Sequence, residues 1–129
     1  MSDNGFDWVW QADAALGRVD EQVRAAQERA EVAGRFRAEV EQVRGEARSR
    51  RGEVVVVCDV QGCLVDLRLS PAALEYSASD LARLVLRTVA DARAVAGRRA
   101  LGLAGDAFGP ESPVVARLAA ELEGRSGGR

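Results

Sequence analysis

Every cation in this chain is an arginine, and their spacing is where chemistry can first be sought. Arg44, Arg48, Arg50 and Arg51 fall within eight residues, opposed only by Glu46. Arg87, Arg93, Arg98 and Arg99 gather later, with Asp91 alone among them. A guanidinium stays charged at any physiological pH and offers a planar fork of donors that matches phosphate oxygens. The bland alternative is solvation, complementing a helix dipole and guarding a strand edge. Other chemistries lack their parts. There is no His, so a Ser/His or Cys/His relay cannot be built and the usual imidazole base is missing. Cys58 and Cys63, with no further soft ligand, do not make a zinc site. The Gly-containing stretch 97–109 follows no strand and carries no P-loop lysine. Turn and surface-strand roles account for Asp59 and Asp66. No catalysis, metal or cofactor is expected.

The elements that must position these arginines begin with Glu53–Leu69, EVVVVCDVQGCLVDLRL. The run of β-branched residues from Val54 to Val57 favours a strand. Cys63–Leu69 alternates, as a second strand should. Between them Asp59-Val60-Gln61-Gly62 has type I turn chemistry, with Gly62 free to take a left-handed conformation that closes a hairpin. Pairing Asp59 with Cys63 collects Val55, Val57, Val65 and Leu67 on one face. The other face then holds Val54, Val56, Cys58, Leu64, Asp66 and Arg68, and is still half apolar. A singly covered sheet shows a polar second face, so Val54, Val56, Cys58 and Leu64 are expected to meet another copy of the chain. Upstream, Val43, Gly45 and Ala47 alternate with Gln42, Arg44, Glu46 and Arg48, which reads as an edge strand, although residues 39–48 could also prolong a helix. Ser49-Arg50-Arg51-Gly52 repeats the form of the later turn and completes a three-stranded antiparallel meander.

Helices flank the meander. Ala12, Leu16, Val19, Val23, Ala26, Ala30 and Ala33 step by three and four, a near-heptad seam predicting a long helix over about 8–38. Gly17 and Gly34 each cost it roughly 1 kcal/mol relative to Ala. Trp8 and Trp10 at its start could cap a core, contact a partner or lie on the surface. After Ser70-Pro71, a loop or single turn leads to Ser77 or Ser79 as helix cap, with Asp80 in the first turn. Leu81, Leu84, Val85, Thr88, Val89, Ala92, Val95 and Ala96 then form the strongest helical stripe, which should lie on the sheet and leave Arg83, Arg87 and Arg98 on the opposite face. Residues 101–112 read as a Gly-rich loop. A short helix follows from Ser112-Pro113, with Gly124 able to stop it and RSGGR expected to be unstructured.

With 129 residues, 18 Arg and 20 carboxylates, the net charge of −2 gives no overall attraction to nucleic acid, so any such binding must come from local clusters. The exclusive use of Arg is read as compositional. No apolar run approaches the ~20 residues of a membrane span, and MSDNGFDW is no signal peptide, which places the chain in the cytoplasm. Both cysteines are expected to be reduced, buried strand residues.

The order of the pieces carries a further signal: a charged Ala-rich helix, then RGEARSRRGEVVVVCDVQGCLVDLRLSP, then SDLARLVLRTVADARAVA. With Gly52 before the valine strand, Gly62 in the hairpin, Leu64–Leu69 ending before Pro71 and Ala90-Asp91-Ala92 in the following helix, this resembles the YbaB/EbfC family of nucleoid-associated proteins, especially its actinobacterial branch, over about residues 20–100. The resemblance implies an α-β-β-β-α protomer, a tight homodimer with helical arms, and DNA binding of little sequence specificity. The acidic total and the extra segments at both ends depart from the family. The resulting expectation is an α+β homodimer with an unstructured segment 1–7, a core domain 8–100, and 101–129 as loop, short helix and tail. It would contact the backbone of double-stranded DNA through Arg44, Arg48, Arg50, Arg51, Arg83, Arg87 and Arg98, in the cytoplasm on the nucleoid. Some actinobacterial relatives are associated with specialised secretion, which implies the alternative: a protein-interaction adaptor using Trp8, Trp10 and the alanine seam.

Overall fold

The run of Ala, Gln and alternating charges that begins at Asp7 has few residues that oppose helix, and in the computed structural model, which describes residues 7–127, it forms one helix, α1 (Asp7–Glu41). Strands β1 (Arg44–Arg48), β2 (Val54–Asp59) and β3 (Leu64–Leu69) follow, then a 3-10 turn (Pro71–Glu75) and helices α2 (Ala78–Phe108) and α3 (Pro113–Gly127). The segment expected to be unstructured, 1–7, lies outside the described residues except for Asp7, which opens α1. Two compact units divide the chain within α1, Met1–Arg35 and Phe36–Arg129. The described part of the first is a single stretch of helix.

α1 stops where alternation takes over. Arg44 donates to the carbonyls of Glu41 at 3.2 Å and Val43 at 2.8 Å, covering acceptors that the helix end leaves open. The sheet is an antiparallel meander in the order β1-β2-β3. The helical alternative for residues 39–48 therefore fails from Arg44 onward: Gly45 is buried and Ala47 half-buried, while Arg44, Glu46 and Arg48 face out.

Between β2 and β3 the expected register needs correction. Cys58 is opposite Leu64 as anticipated, but Val57 is opposite Asp66, so the register shifts by one residue at a bulge that leaves Val65 unpaired. Beyond it every residue changes face. Leu67 and Leu69 pair with Val56 and Val54, and Asp66 and Arg68 pair with Val57 and Val55. Asp66 and Arg68 form an ion pair of 2.9 Å.

Helix α2 lies over β1 and β2. Its Leu81, Leu84, Val85 and Val89 pack with Ala92 against Val54, Val56 and Cys58, all three fully buried. This corrects the proposed dimer surface. Val54, Val56 and Cys58 are the chain's own core, each valine contributing roughly 1.5–3 kcal/mol by burial, and only Leu64 of that set is exposed. The helix comes so close to β1 because Gly45 has no side chain. A Cβ there would stand 2.2 Å from the Ala92 carbonyl oxygen and 2.4 Å from the Ala96 nitrogen.

The stretch expected to be a loop, 101–112, is also corrected. α2 continues to Phe108 through Gly97, Gly102 and Gly105, with Ala100 and Ala104 buried. Only Gly109–Ser112 separates it from α3. Gly97 is a packing position, since a Cβ on it would crowd Leu122 of α3 at 3.3 Å. α3 runs past Gly124 to Gly127, so the tail expected to be unstructured is helical as far as the described residues go. Phe36 packs edge-to-face on Phe108, ring centroids 5.1 Å apart. Both thiols are free, but the expectation that both are buried fails for Cys63, which is exposed because it lies in the turn before β3, a strand with no buried residue.

Candidate nucleic-acid interface

The β1–β2 turn, Ser49–Glu53, stands beside the first three turns of α2. Its geometry is set by backbone bonds from Gly52 N–H to the Ser49 carbonyl and from Ser49 N–H to the Val54 carbonyl, both 2.9 Å. Gly52 takes φ 75°, as the turn requires. α2 starts where the Ser77 hydroxyl accepts from Asp80 N–H at 3.1 Å. Arg83 and Arg87 are four residues apart and so share one helical face. Between turn and helix lies an open cleft of about 690 Å³ lined by Arg48, Arg50, Arg51, Arg83 and Arg87, with Glu53, Asp80 and Asp91 as its acids.

Five of the seven arginines singled out in the sequence thus come together. Arg44 sits at the far end of β1, and Arg98 lies about three turns beyond Arg87 on an exposed face of α2. Two others of the later cluster are tied to backbone. Arg93 donates to the Gly62 carbonyl at 2.9 Å and Arg99 to the Arg44 carbonyl at 2.5 Å. Trp8 and Trp10 are 66% and 73% exposed.

The acids do not neutralise the cleft. Glu53 is buried and satisfied by neutral donors: the Tyr76 hydroxyl on Oε2, and on Oε1 the Ser49 hydroxyl at 2.8 Å and Arg51 N–H at 3.1 Å. These bonds, Tyr76 foremost, hold its carboxyl down at about 2 from an ordinary 4.5, against the opposing effect of burial. The same bond pushes the Tyr76 phenol up. Asp80 approaches Arg83 only at 4.0 Å, with both side chains largely exposed. Among the described residues Arg48, Arg50, Arg51 and Arg87 have no ion pair, and their charge is directed at solvent. The first turn of α2 adds its dipole to this field, partly offset by Asp80.

Ser49, Glu53 and Tyr76 were not among the site residues expected from the sequence. Ser49 and Glu53 bracket a turn and could have been paired from that spacing, whereas Tyr76 lies 23 residues from Glu53 and leaves no local trace. Among the described residues, no group of three His, Cys, Asp or Glu could hold a metal ion. No described helix is long and apolar enough to cross a membrane.

Comparison with known proteins bears on this geometry. The description of the YbaB/EbfC DNA-binding family matches residues 16–105. No curated protein matches the chain. Among solved structures, the fold resembles the uncharacterized protein HP0035 from Helicobacter pylori, with a TM-score of 0.54 at 16% identity, over 67% of this chain and 92% of that one. At such identity the likeness concerns the fold alone.

Proposed function

Because the chain belongs to the YbaB/EbfC DNA-binding family, we propose that it is a nucleoid-associated protein of the cytoplasm that grips the DNA backbone as a homodimer, with little regard to base sequence. The observation that carries this reading is the cleft, where Arg48, Arg50 and Arg51 on a turn face Arg83 and Arg87 on a helix. Of these, Arg48, Arg50, Arg51 and Arg87 have no ion pair among the described residues, which leaves their guanidinium groups available to phosphates. Arginines on a strand turn and on a helix face, contacting phosphates, position the protein without specifying sequence. Arg98 extends the same positive side along α2, and Arg44 is the least suited of the set, being engaged at the end of α1.

The partner surface follows from what α2 leaves open. β3 is an edge strand, and Leu64, Val65, Leu67 and Leu69 on it are 40–52% exposed. An apolar edge with unpaired backbone groups is a template for another strand. The second copy is therefore placed on β3, with Leu64 retained from the expected interface. Leu64→Arg should weaken the dimer, and a monomeric mass for the unaltered protein at micromolar concentration would refute the assignment.

The test of function is a gel-shift titration with unrelated duplexes of equal length at several salt concentrations. The duplexes should bind within a few-fold of one another, with a log–log salt slope near −4 to −5 for ~4–6 phosphate contacts per dimer. Affinity near physiological salt should lie within the non-specific range of ~10⁻⁴–10⁻⁶ M. Failure to shift any duplex at low salt overturns the reading in favour of a protein adaptor, a role for which the exposure of Trp8 and Trp10 is the supporting observation.

A further inference from the structure

The first unit of the chain presents an apolar stripe that nothing within that unit covers. On α1, Leu16 is 63% exposed and Val19 and Val23 are each 50% exposed, and the same seam continues through Ala26 and Ala30, also exposed, to Ala33. The seam has near-heptad spacing, and its two halves differ. The first half carries the large residues, Leu16, Val19 and Val23, and the second carries only alanine. Charge divides along the same line. Asp13, Asp20 and Glu21 outnumber Arg18 in residues 8–21, whereas Arg24, Arg29 and Arg35 outnumber Glu28 and Glu31 in residues 22–35.

We infer that this stripe packs antiparallel against the same stripe of a second copy, with Leu16 facing Ala33, Val19 facing Ala30 and Val23 facing Ala26. Each large side chain then meets a small one, so the two helix axes stay evenly spaced along the seam. A parallel pair would set Leu16 on Leu16 and alanine on alanine, forcing the axes apart at one end and leaving a gap at the other. Antiparallel pairing also lays the acidic half of each helix on the basic half of the other, twice over by symmetry, and opposes the two helix dipoles. The seam from Leu16 to Ala33 is only about 27 Å long at 1.5 Å per residue and half of it is alanine, so the contact is weak and depends on concentration. It uses none of the residues of the β3 edge or of the arginine cleft. A chain with two self-complementary surfaces, one on β3 and one on α1, assembles beyond the dimer, either closing as a tetramer or propagating as an array. Such an assembly would present several clefts to one DNA molecule or to two.

The test uses the full chain with Cys63→Ser to remove the exposed native thiol. Leu16→Cys and Ala33→Cys proteins are prepared singly and mixed, and disulfide formation is followed on gentle oxidation. The mixture should cross-link several-fold faster than either protein alone, and a Val23→Cys with Ala26→Cys mixture should do the same. Leu16→Cys cross-linking best to itself would refute the antiparallel register. Absence of any cross-link at the highest soluble concentration would refute self-association through α1 and leave the seam to a different protein. As a second measurement, Leu16→Glu with Val23→Glu should reduce the largest species seen by light scattering to the dimer while preserving helix content and DNA affinity at low protein concentration. Should the β3 assignment be the one that fails, the same variant would yield monomers while the cross-link between Leu16→Cys and Ala33→Cys persists, so the two failures are distinguishable.

Discussion

The two hairpin turns of the sheet are nearly the same object in backbone terms and opposite objects in surface terms. In each, the fourth residue is glycine at positive φ, 75° for Gly52 and 86° for Gly62, and its N–H closes on the carbonyl of the first. Both also use a side-chain oxygen to hold backbone N–H groups. Asp59 Oδ1 accepts from Gln61 at 3.0 Å and Cys63 at 2.9 Å, while the first turn divides that task between Ser49 and Glu53. The difference lies in the two central positions. Arg50-Arg51 faces the cleft, whereas Val60 turns to an apolar groove that also includes Phe36, Pro113 and Val114. The turn is a generic mount, and its central pair decides whether the mount presents charge to solvent or an apolar side chain to a neighbouring groove.

The sharpest way to break this contrast is to strip the first turn of charge. Replacing Arg48, Arg50 and Arg51 together by Ser should lower the magnitude of the DNA-binding salt slope by roughly 3 or more, about one for each phosphate no longer engaged. Dimer mass and helix content should be unchanged. Val60→Ser with Gln61→Ser at the second turn should leave the slope as it was. Equal slopes in the two variants would mean that the cleft is not the binding surface.

A smaller effect separates the glycines. Gly52→Ala must take a left-handed conformation but has open space around it, and should destabilise by about 1 kcal/mol in denaturant titration. Gly62→Ala meets the same backbone cost and also crowds Arg93, 3.3 Å away, whose bond to the Gly62 carbonyl latches α2 to the second turn. It should cost more, roughly 1–3 kcal/mol. Equal costs would show that Arg93 yields freely.

The mildest discrimination comes from acid. Because the folded state holds Glu53 down at about 2, its contribution is fully present above the unfolded value near 4.5 and is lost as pH falls from there through about 2. Melting temperature followed across that window should fall less steeply for Glu53→Gln than for the unaltered protein, with the variant already the less stable at neutral pH. Identical acid profiles would dissociate Glu53 from the stability of its turn.

What the sequence revealed and what it hid divide along physical lines. The valine run, both turns and the α2 stripe were legible because each is written in local chemistry: β-branching, turn residues, three-four spacing. The bulge at Val65 was not, since Val65, Leu67 and Leu69 alternate equally well whether or not one residue is skipped. Gly102 and Gly105 made 101–112 read as a loop because propensity is local, whereas the end of α2 is set by distant packing, as at Gly97 against Leu122, 25 positions away. The arginines of the cleft were picked out in two sequence clusters and, for Arg83, on the outer face of a helix, but their union depends on how α2 lies on the sheet. That placement also moved Val54, Val56 and Cys58 from a supposed interface into the core.

The contact at Gly45 limits what the cleft can become. The strand backbone lies close against the Ala92 carbonyl and the Ala96 nitrogen of the helix, and β1 runs on into the turn that carries Arg50 and Arg51. A side chain at position 45 would push the strand off the helix and so shift the two arginine banks relative to each other. The rim arginines are exposed, whereas position 45 admits no side chain at all. Charge at the rim can thus change without disturbing the scaffold beneath it, whereas a change at position 45 alters both.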